Sequence, residues 1–176
     1  MLIKSIFDFF ATLIIIIVFL PLMLLIALLT VLDSGFPIIH RRVVHSSPST
    51  CFSFLKFRTM HVDADKMLEQ MLNNKAYREE YDKYSKFKND PRITKFGKFL
   101  RKTSMDELPQ LFNVLFFQMS LVGPRPKTSY ELKKYYSKEN TELIFLVKPG
   151  ITGIQQISGR ANLPYTERIK MEIGYI

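Results

Sequence analysis

The sequence predicts a mostly α-helical protein with one small β-hairpin, following an N-terminal membrane segment. Three observations predict it. An uncharged apolar run of 24 residues, Phe9 to Leu32, lies between Asp8 and Asp33. Much of the chain beyond it repeats apolar residues at the three-to-four spacing of amphipathic helices. Only Gly35 to Val44 and Cys51 to Thr59 are instead short and rich in Ile, Val and Phe. With 176 residues, 47% of them hydrophobic, 23% charged and only 7 glycines, a disordered or collagen-like chain is excluded.

A straight helix over Phe9 to Leu32 would reach about 36 Å, enough for a hydrocarbon core of roughly 30 Å. Pro21 sits in its middle, where it removes one backbone hydrogen bond and should kink or break the helix. A kinked spanning helix and a helix that turns back both remain open on these residues. A cleaved signal peptide fits poorly, because the run is too long and lacks a small-residue exit. The chain thus divides into a membrane segment, 1–34, and a remainder, 35–176.

The two β-like stretches are joined by the turn formers Ser46-Ser47-Pro48-Ser49. From Val62 to about Lys88, Ala64, Met67, Leu68, Met71 and Leu72 mark a helical face, continued by Tyr77, Tyr81 and Tyr84, with Asn73-Asn74 as a dividing point. Asn89-Asp90-Pro91 ends this run. Ile93, Phe96 and Leu100 then give a short helix whose other face carries Lys95, Lys98, Arg101 and Lys102. A helix is expected over Asp106 to Phe117, a turn at Gly123-Pro124-Arg125-Pro126, a helix over Ser129 to Ser137, and loops at Pro149-Gly150 and Ser158-Gly159.

Lysine and arginine number 25 against 16 acids, a formal charge of +9. All the bases but Lys4 and all the acids but Asp8 lie in 33–176, so the surplus belongs there and predicts an anionic partner. Cys51 is the sole cysteine and reads as structural. His40, His45 and His61 lack zinc-site spacing, so a metal here should be a hard, oxygen-ligated cation.

Asp106-Glu107 is the sharpest local signal, a carboxylate pair behind Arg101 and Lys102. Ser104 and Glu107 fit a capping box, and Asp106 fits an N-cap with Pro109 tolerated in the first turn. Either use is compatible with chemistry, since a carboxylate at a helix N-terminus beside Arg101 is held ionised, as a nucleophile or Mg²⁺ ligand must be. Prolines on both sides present Arg125 rigidly, which serves a binding site or a stiff surface turn. Lys148-Pro149-Gly150-Ile151-Thr152-Gly153 and Ser158-Gly159-Arg160 have the composition of phosphate-binding loops without P-loop spacing. Lys56 and Arg58, two apart on a strand, should face one side, as a binding pair or a solvated edge. The tyrosine stripe reads as packing or membrane-interface contact.

Lys56-Phe57-Arg58-Thr59-Met60, Asn89-Asp90-Pro91-Arg92-Ile93-Thr94, Arg101 through Leu111, Asn113-Val114-Leu115, Met119 through Pro126, Lys148 through Gly153 and Ser158-Gly159-Arg160 together resemble the bacterial sugar transferases, the monotopic phosphoglycosyl transferases. The likeness runs nearly from end to end, and Val62 to Asp90 resembles the catalytic domains of hexose-1-phosphate transferases. Four features depart from the pattern. Leu20-Pro21 stands where relatives often have Ser-Pro, the hairpin turn lacks glycine, Gln155-Gln156 replaces a Trp-Gln or Ala-Gln pair, and the chain stops at Ile176, as expected of a short form.

The resemblance implies a re-entrant membrane helix broken at Pro21, with both ends on the cytoplasmic face of the bacterial inner membrane, and a membrane-associated helical catalytic domain. It implies transfer of a sugar-1-phosphate from a UDP-sugar to undecaprenyl (polyprenol) phosphate, the first membrane step of glycan biosynthesis. Asp106 would form a covalent phosphosugar intermediate with release of UMP. Glu107, with Asp106, would hold Mg²⁺, and Lys56, Arg58, Arg101, Arg125 and Arg160 would neutralise phosphate. A homodimer is compatible with this reading, and nucleic acid is not an expected partner. The rival is a non-catalytic membrane-bound basic module binding anionic lipid or an envelope-complex partner. A scaffold of that kind gains nothing from carboxylates amid its basic residues.

Overall fold

The computed structural model describes residues 2–84, 87–158 and 164–176, with backbone only at 83 and 84. It is mostly helical, with a hairpin and a second, two-stranded parallel pair. Helix α1 (Leu2–Ser34) is followed by strands β1 (Ile39–His45) and β2 (Cys51–Phe57), then α2 (Ala64–Leu72), α3 (Lys75–Tyr84) and α4 (Lys95–Thr103). A single 3-10 turn, Met105–Glu107, leads into α5 (Gln110–Leu115) and β3 (Ser120–Val122). The chain continues through α6 (Ser129–Tyr135), α7 (Lys138–Ile144), β4 (Gly150–Thr152), α8 (Ile154–Ile157) and α9 (Tyr165–Ile173).

Among the described residues, α1 is the one helix long and apolar enough to cross a membrane. The expected interruption at Pro21 requires correction: the helical backbone continues through it. The ring deletes one donor, the one that would bond the Ile17 carbonyl, and the remaining ladder carries the helix past it. Asp8, Thr12 and Ile16, and further along Met23, Ile26 and Thr30, are buried at helical spacing, while Ile14, Ile17, Val18, Leu24, Leu25 and Leu28 stand exposed. An apolar surface of that extent is of the kind that lipid or another protein covers.

Chain contacts define two compact units. One comprises Met1–Pro21, Arg41–Lys56 and Pro109–Ile176. Its core packs Val44, Phe52 and Phe54 of the hairpin against Val114 and Met119, with Leu121 and Ile151 beside them. Asn113 explains its own motif: its amide donates to the Ser53 carbonyl at 2.8 Å and accepts from the Leu55 N–H at 3.2 Å, so α5 completes the free edge of β2. Despite lacking glycine, the hairpin turn closes through Ser46 N–H to the Thr50 carbonyl at 2.9 Å and Thr50 N–H to Ser47 Oγ at 3.0 Å. Tyr136, Ile144 and Ile169 form a second cluster joining α6, α7 and α9.

The other unit comprises Leu22–His40 and Phe57–Leu108. Here 59–61 lies antiparallel to 92–94, with Thr94 N–H on the Thr59 carbonyl at 3.1 Å and His61 N–H on the Arg92 carbonyl at 2.9 Å. The backbones of Gly97 and Thr59 approach so closely that a Cβ at 97 would collide with the Thr59 carbonyl. Thr94 caps α4 by accepting from Gly97 N–H at 2.8 Å. Leu100, on the same helix, is completely buried.

The hairpin, the split between α2 and α3 at Asn73-Asn74, α4 and α6 follow the sequence reading. The helix expected over Asp106 to Phe117 does not form as one piece. Ser104 takes the left-handed conformation, φ 60°, as the C-cap of α4, the 3-10 turn follows, and α5 begins after Pro109. Proline explains the division, since it serves the start of a helix without needing a donor but cannot lie inside one cheaply.

Candidate active site

Asp106 lies in the 3-10 turn, only 6% exposed, and Glu107 beside it is half-buried. The capping-box reading does not describe the turn: Ser104, at its N-cap, makes no side-chain cap hydrogen bond, although Glu107 N–H bonds the Ser104 carbonyl at 3.1 Å. A non-glycine residue at positive φ is a strained position, and Ser104 occupies it two residues before Asp106. The tight turn places two adjacent acids just beyond the C-terminal end of a basic helix.

Arg101, in the last turn of α4, donates from Nε to Thr59 Oγ1 at 2.8 Å. Neighbouring protein strips water from its guanidinium and pulls its pKa down, while the charges of Asp106 and Asp90 pull it back up. The residue remains exposed overall, and an arginine stays charged throughout the working range. Behind it, Asp90 takes Arg92 in a two-pronged grip, with Arg92 lying over the Phe87 ring at 5.4 Å. Burial would raise the Asp90 carboxyl, but the side-chain and backbone hydrogen bonds of Arg92 and the charges of Arg92 and Arg101 hold it below its ordinary value. The sequence marks Asn89-Asp90-Pro91 as a helix breaker and Asn89 through Thr94 as part of the family likeness, without revealing this pair. The signal was an acid and a base flanking a proline directly ahead of α4.

Arg58 is buried at the C-terminal end of α1, where Nη2 donates to the Ser34 carbonyl at 2.6 Å and also to the Gly35 carbonyl. A cation there satisfies orphaned helix carbonyls and meets the negative end of the helix dipole. Its Nε and Nη1 are buried without an acceptor. Since β2 ends at Phe57, the alternation that would pair Lys56 and Arg58 on one strand face stops short of Arg58.

In the first unit, β3 and β4 pair in parallel, Ser120 opposite Gly150 and Val122 opposite Thr152. This brings two sequence motifs side by side. Gly123 N–H bonds the Thr152 carbonyl at 2.9 Å and Gly150 N–H bonds the Pro124 carbonyl at 2.8 Å. A Cβ on either glycine would strike backbone of the facing loop. Arg125 is half-buried in one loop, and Lys148 in the other holds its ammonium 5.2 Å from the Phe117 ring centre. Lys56 belongs to this unit, its ammonium 5.5 Å from the Phe54 ring. The fold therefore groups Asp106 and Glu107 with Arg101 in one unit, and places Arg125 and Lys56 in the other. Arg160 and Gly159 lie outside the described residues.

For a divalent cation, no group of three His, Cys, Asp or Glu side chains exists among the described residues. Asp106 and Glu107 together are a sparse oxygen donor set. That suits Mg²⁺, which characteristically takes one or two carboxylates and fills its shell with waters and substrate phosphates.

The structure thus sets an acid pair and the arginine Arg101 in one unit of a chain whose first helix is long and apolar enough to cross a membrane. The family model described as bacterial sugar transferase matches residues 1–176, and the chain belongs to that family. It is 45% identical over 92% of its length to an uncharacterized sugar transferase of Haemophilus influenzae, covering 34% of that protein. Two further relatives are the undecaprenyl-phosphate galactose phosphotransferase of Salmonella typhimurium and the UDP-glucose:undecaprenyl-phosphate glucose-1-phosphate transferase of Klebsiella pneumoniae. The first is 42% identical, covering 98% of this chain and 36% of that protein. The second is 38% identical, covering 99% and 35%. The chain spans about a third of the length of these relatives.

Proposed function

We propose that this chain transfers a hexose-1-phosphate from a UDP-sugar to undecaprenyl phosphate at the cytoplasmic face of the inner membrane. The observation that carries the reading is the buried Asp106, adjoining Glu107 and under the charge of Arg101, in a family whose named relatives include undecaprenyl-phosphate hexose transferases.

An Asp106 carboxylate oxygen attacks the β-phosphorus of the UDP-sugar. The bond from that phosphorus to the bridging oxygen breaks, UMP leaves with the electron pair, and the sugar phosphate stays on Asp106 as an acyl phosphate. A phosphate oxygen of the polyprenol phosphate then attacks the same phosphorus and frees the carboxylate, giving the polyprenol diphosphate sugar. Splitting the exchange this way lets a water-soluble donor and a lipid acceptor use one nucleophile in turn. Arg101 offsets charge on the transferring phosphoryl group, while Arg125, Lys56 and the two acceptor-less donors of Arg58 are suited to phosphate oxygens. Arg160 is a further candidate for that role. Asp106 and Glu107 would hold Mg²⁺, which when bound neutralises phosphate charge.

The same reading makes α1 re-entrant, its direction changing by a bend within a continuous helix. Supporting this, Pro21 lies near the middle of the apolar run, where it removes one backbone hydrogen bond from the helix.

The test is UMP release by the full chain in lipid nanodiscs with undecaprenyl phosphate, Mg²⁺ and a panel of UDP-sugars. UDP-hexose-dependent UMP release with a phosphosugar mass adduct on Asp106 is expected. Absence of both with every donor would leave the non-catalytic lipid-binding module as the better reading.

A further inference from the structure

Among the described residues, the most deeply buried charges outside the acidic centre are Lys127 and Glu172, 3% and 2% exposed. Lys127 Nζ lies 2.6 Å from Glu172 Oε1, Tyr136 Oη donates to Glu172 Oε2 at 2.6 Å, and the ammonium sits 5.4 Å from the Tyr136 ring centre. Burial pushes the Lys127 ammonium down from its ordinary value, and the Glu172 charge and hydrogen bond oppose that push. A buried ion pair is not an efficient source of stability, since apolar residues of similar volume often do as well. Its value is geometric, because it permits one arrangement of the segments that carry it.

Those segments are α9, which carries Glu172, and the stretch two residues beyond Arg125. The loop holding Arg125 is fixed at its start by Gly123 N–H to Thr152 and by Gly150 N–H to Pro124. At its end, His45 N–H bonds the Lys127 carbonyl at 2.8 Å. The Lys127 side chain adds a further restraint, anchored on Glu172 of α9, an element far along the chain. Without Glu172, an uncompensated buried ammonium would draw the end of the loop toward water, and Pro126 would transmit the shift stiffly to Arg125.

We propose that Glu172 is a positioning residue for Arg125, acting through Lys127 and Tyr136 to set the angle at which Arg125 meets a substrate phosphate. This rests on the functional reading above, and it predicts that α9 governs donor binding without touching the donor.

The experiment is a double-mutant cycle on the full chain in nanodiscs, with Glu172→Gln, Arg125→Lys and both together, followed with UDP-galactose and UDP-glucose. Glu172→Gln alone should raise KM roughly 10-fold while changing kcat less than about 2-fold, and in the Arg125→Lys background it should add less than about 2-fold. A fold-supporting role alone would instead lower kcat equally in both backgrounds, and that outcome overturns the proposal. Tyr136→Phe, which removes one hydroxyl and keeps the ring, should move KM the same way by a smaller factor, and it serves if Glu172→Gln does not fold. Hydrogen exchange provides a readout independent of turnover. Peptides containing the His45 and Gly150 amides should exchange about 10-fold faster in Glu172→Gln, with α5 unchanged. If wild type releases no UMP, the functional reading fails while the exchange arm still decides whether Glu172 holds the loop. Unchanged exchange at His45 and Gly150 would sink the proposal.

Discussion

Asp90 grips the Arg92 guanidinium with both carboxylate oxygens, Nε to Oδ1 at 2.8 Å and Nη2 to Oδ2 at 2.7 Å, and accepts the Arg92 backbone N–H on Oδ1 at 3.0 Å. Both side chains are almost wholly buried, 7% and 10% exposed. The pair fixes the strand-like segment that pairs with 59–61 and enters α4, so it lies beneath the helix that presents Arg101.

Asp90→Asn should therefore destabilise the protein by about 3 kcal/mol, because the change leaves a buried arginine without its counter-charge. The carboxyl's folded pKa lies below its ordinary value of about 3.9, so its contribution is complete above that pH and disappears as pH falls through the folded value. The melting difference between wild type and Asp90→Asn should accordingly be constant near neutrality and shrink below about pH 4. Thermal melts across that range measure it, and a difference that grows on acidification would contradict this account.

Asp106→Asn should lower turnover by roughly 10⁴-fold or more and abolish the mass adduct, because an amide cannot serve as the phosphorus nucleophile. Isolation of a phosphosugar on another residue would reassign the nucleophile.

Glu107→Gln should lose about 10²- to 10³-fold in kcat/KM, the equivalent of several kcal/mol of charge stabilisation, and should require more Mg²⁺ for half-maximal rate. Mg²⁺ titrations of both proteins compare this directly. An unaltered rate and titration curve would take Glu107 out of the mechanism.

Gly150→Ala tests the paired loops. The added methyl would meet Gly123 backbone, and neither main chain can yield without parting β3 from β4. Overpacking of this kind costs about 1–3 kcal/mol. Displacement of Arg125 by even an ångström should lower kcat/KM about 10²-fold. A variant that melts lower but keeps full kcat/KM would show that the pairing is structural only.

For the topology of α1, Leu2→Cys in a Cys51→Ser background should resist an impermeant thiol reagent in intact cells and react after the inner membrane is opened. The Cys51 replacement is needed because that thiol is exposed. Labelling from the periplasm would establish a spanning helix. Pro21→Ala should shift molecules toward periplasmic labelling and reduce activity, since it restores the donor for the Ile17 carbonyl and favours a straight helix.

Composition and spacing were enough to reveal the apolar helix, the hairpin, the divided α2 and α3, and the basic face of α4, because each is a local pattern that one segment expresses alone. The acidic pair was also legible as a candidate, since its two carboxylates and the basic helix before them lie within one short segment. The parallel pairing of Ser120–Val122 with Gly150–Thr152 was not, because both strands are short and their register depends on glycine backbones meeting across a long stretch of intervening chain. The capping role of Arg58, the Asp90–Arg92 grip and the Lys127–Glu172 pair were hidden for the same reason. A charged residue looks alike in sequence whether it faces water or a buried partner, and desolvation, which gives these pairs their rigidity, exists only once distant segments have closed around them.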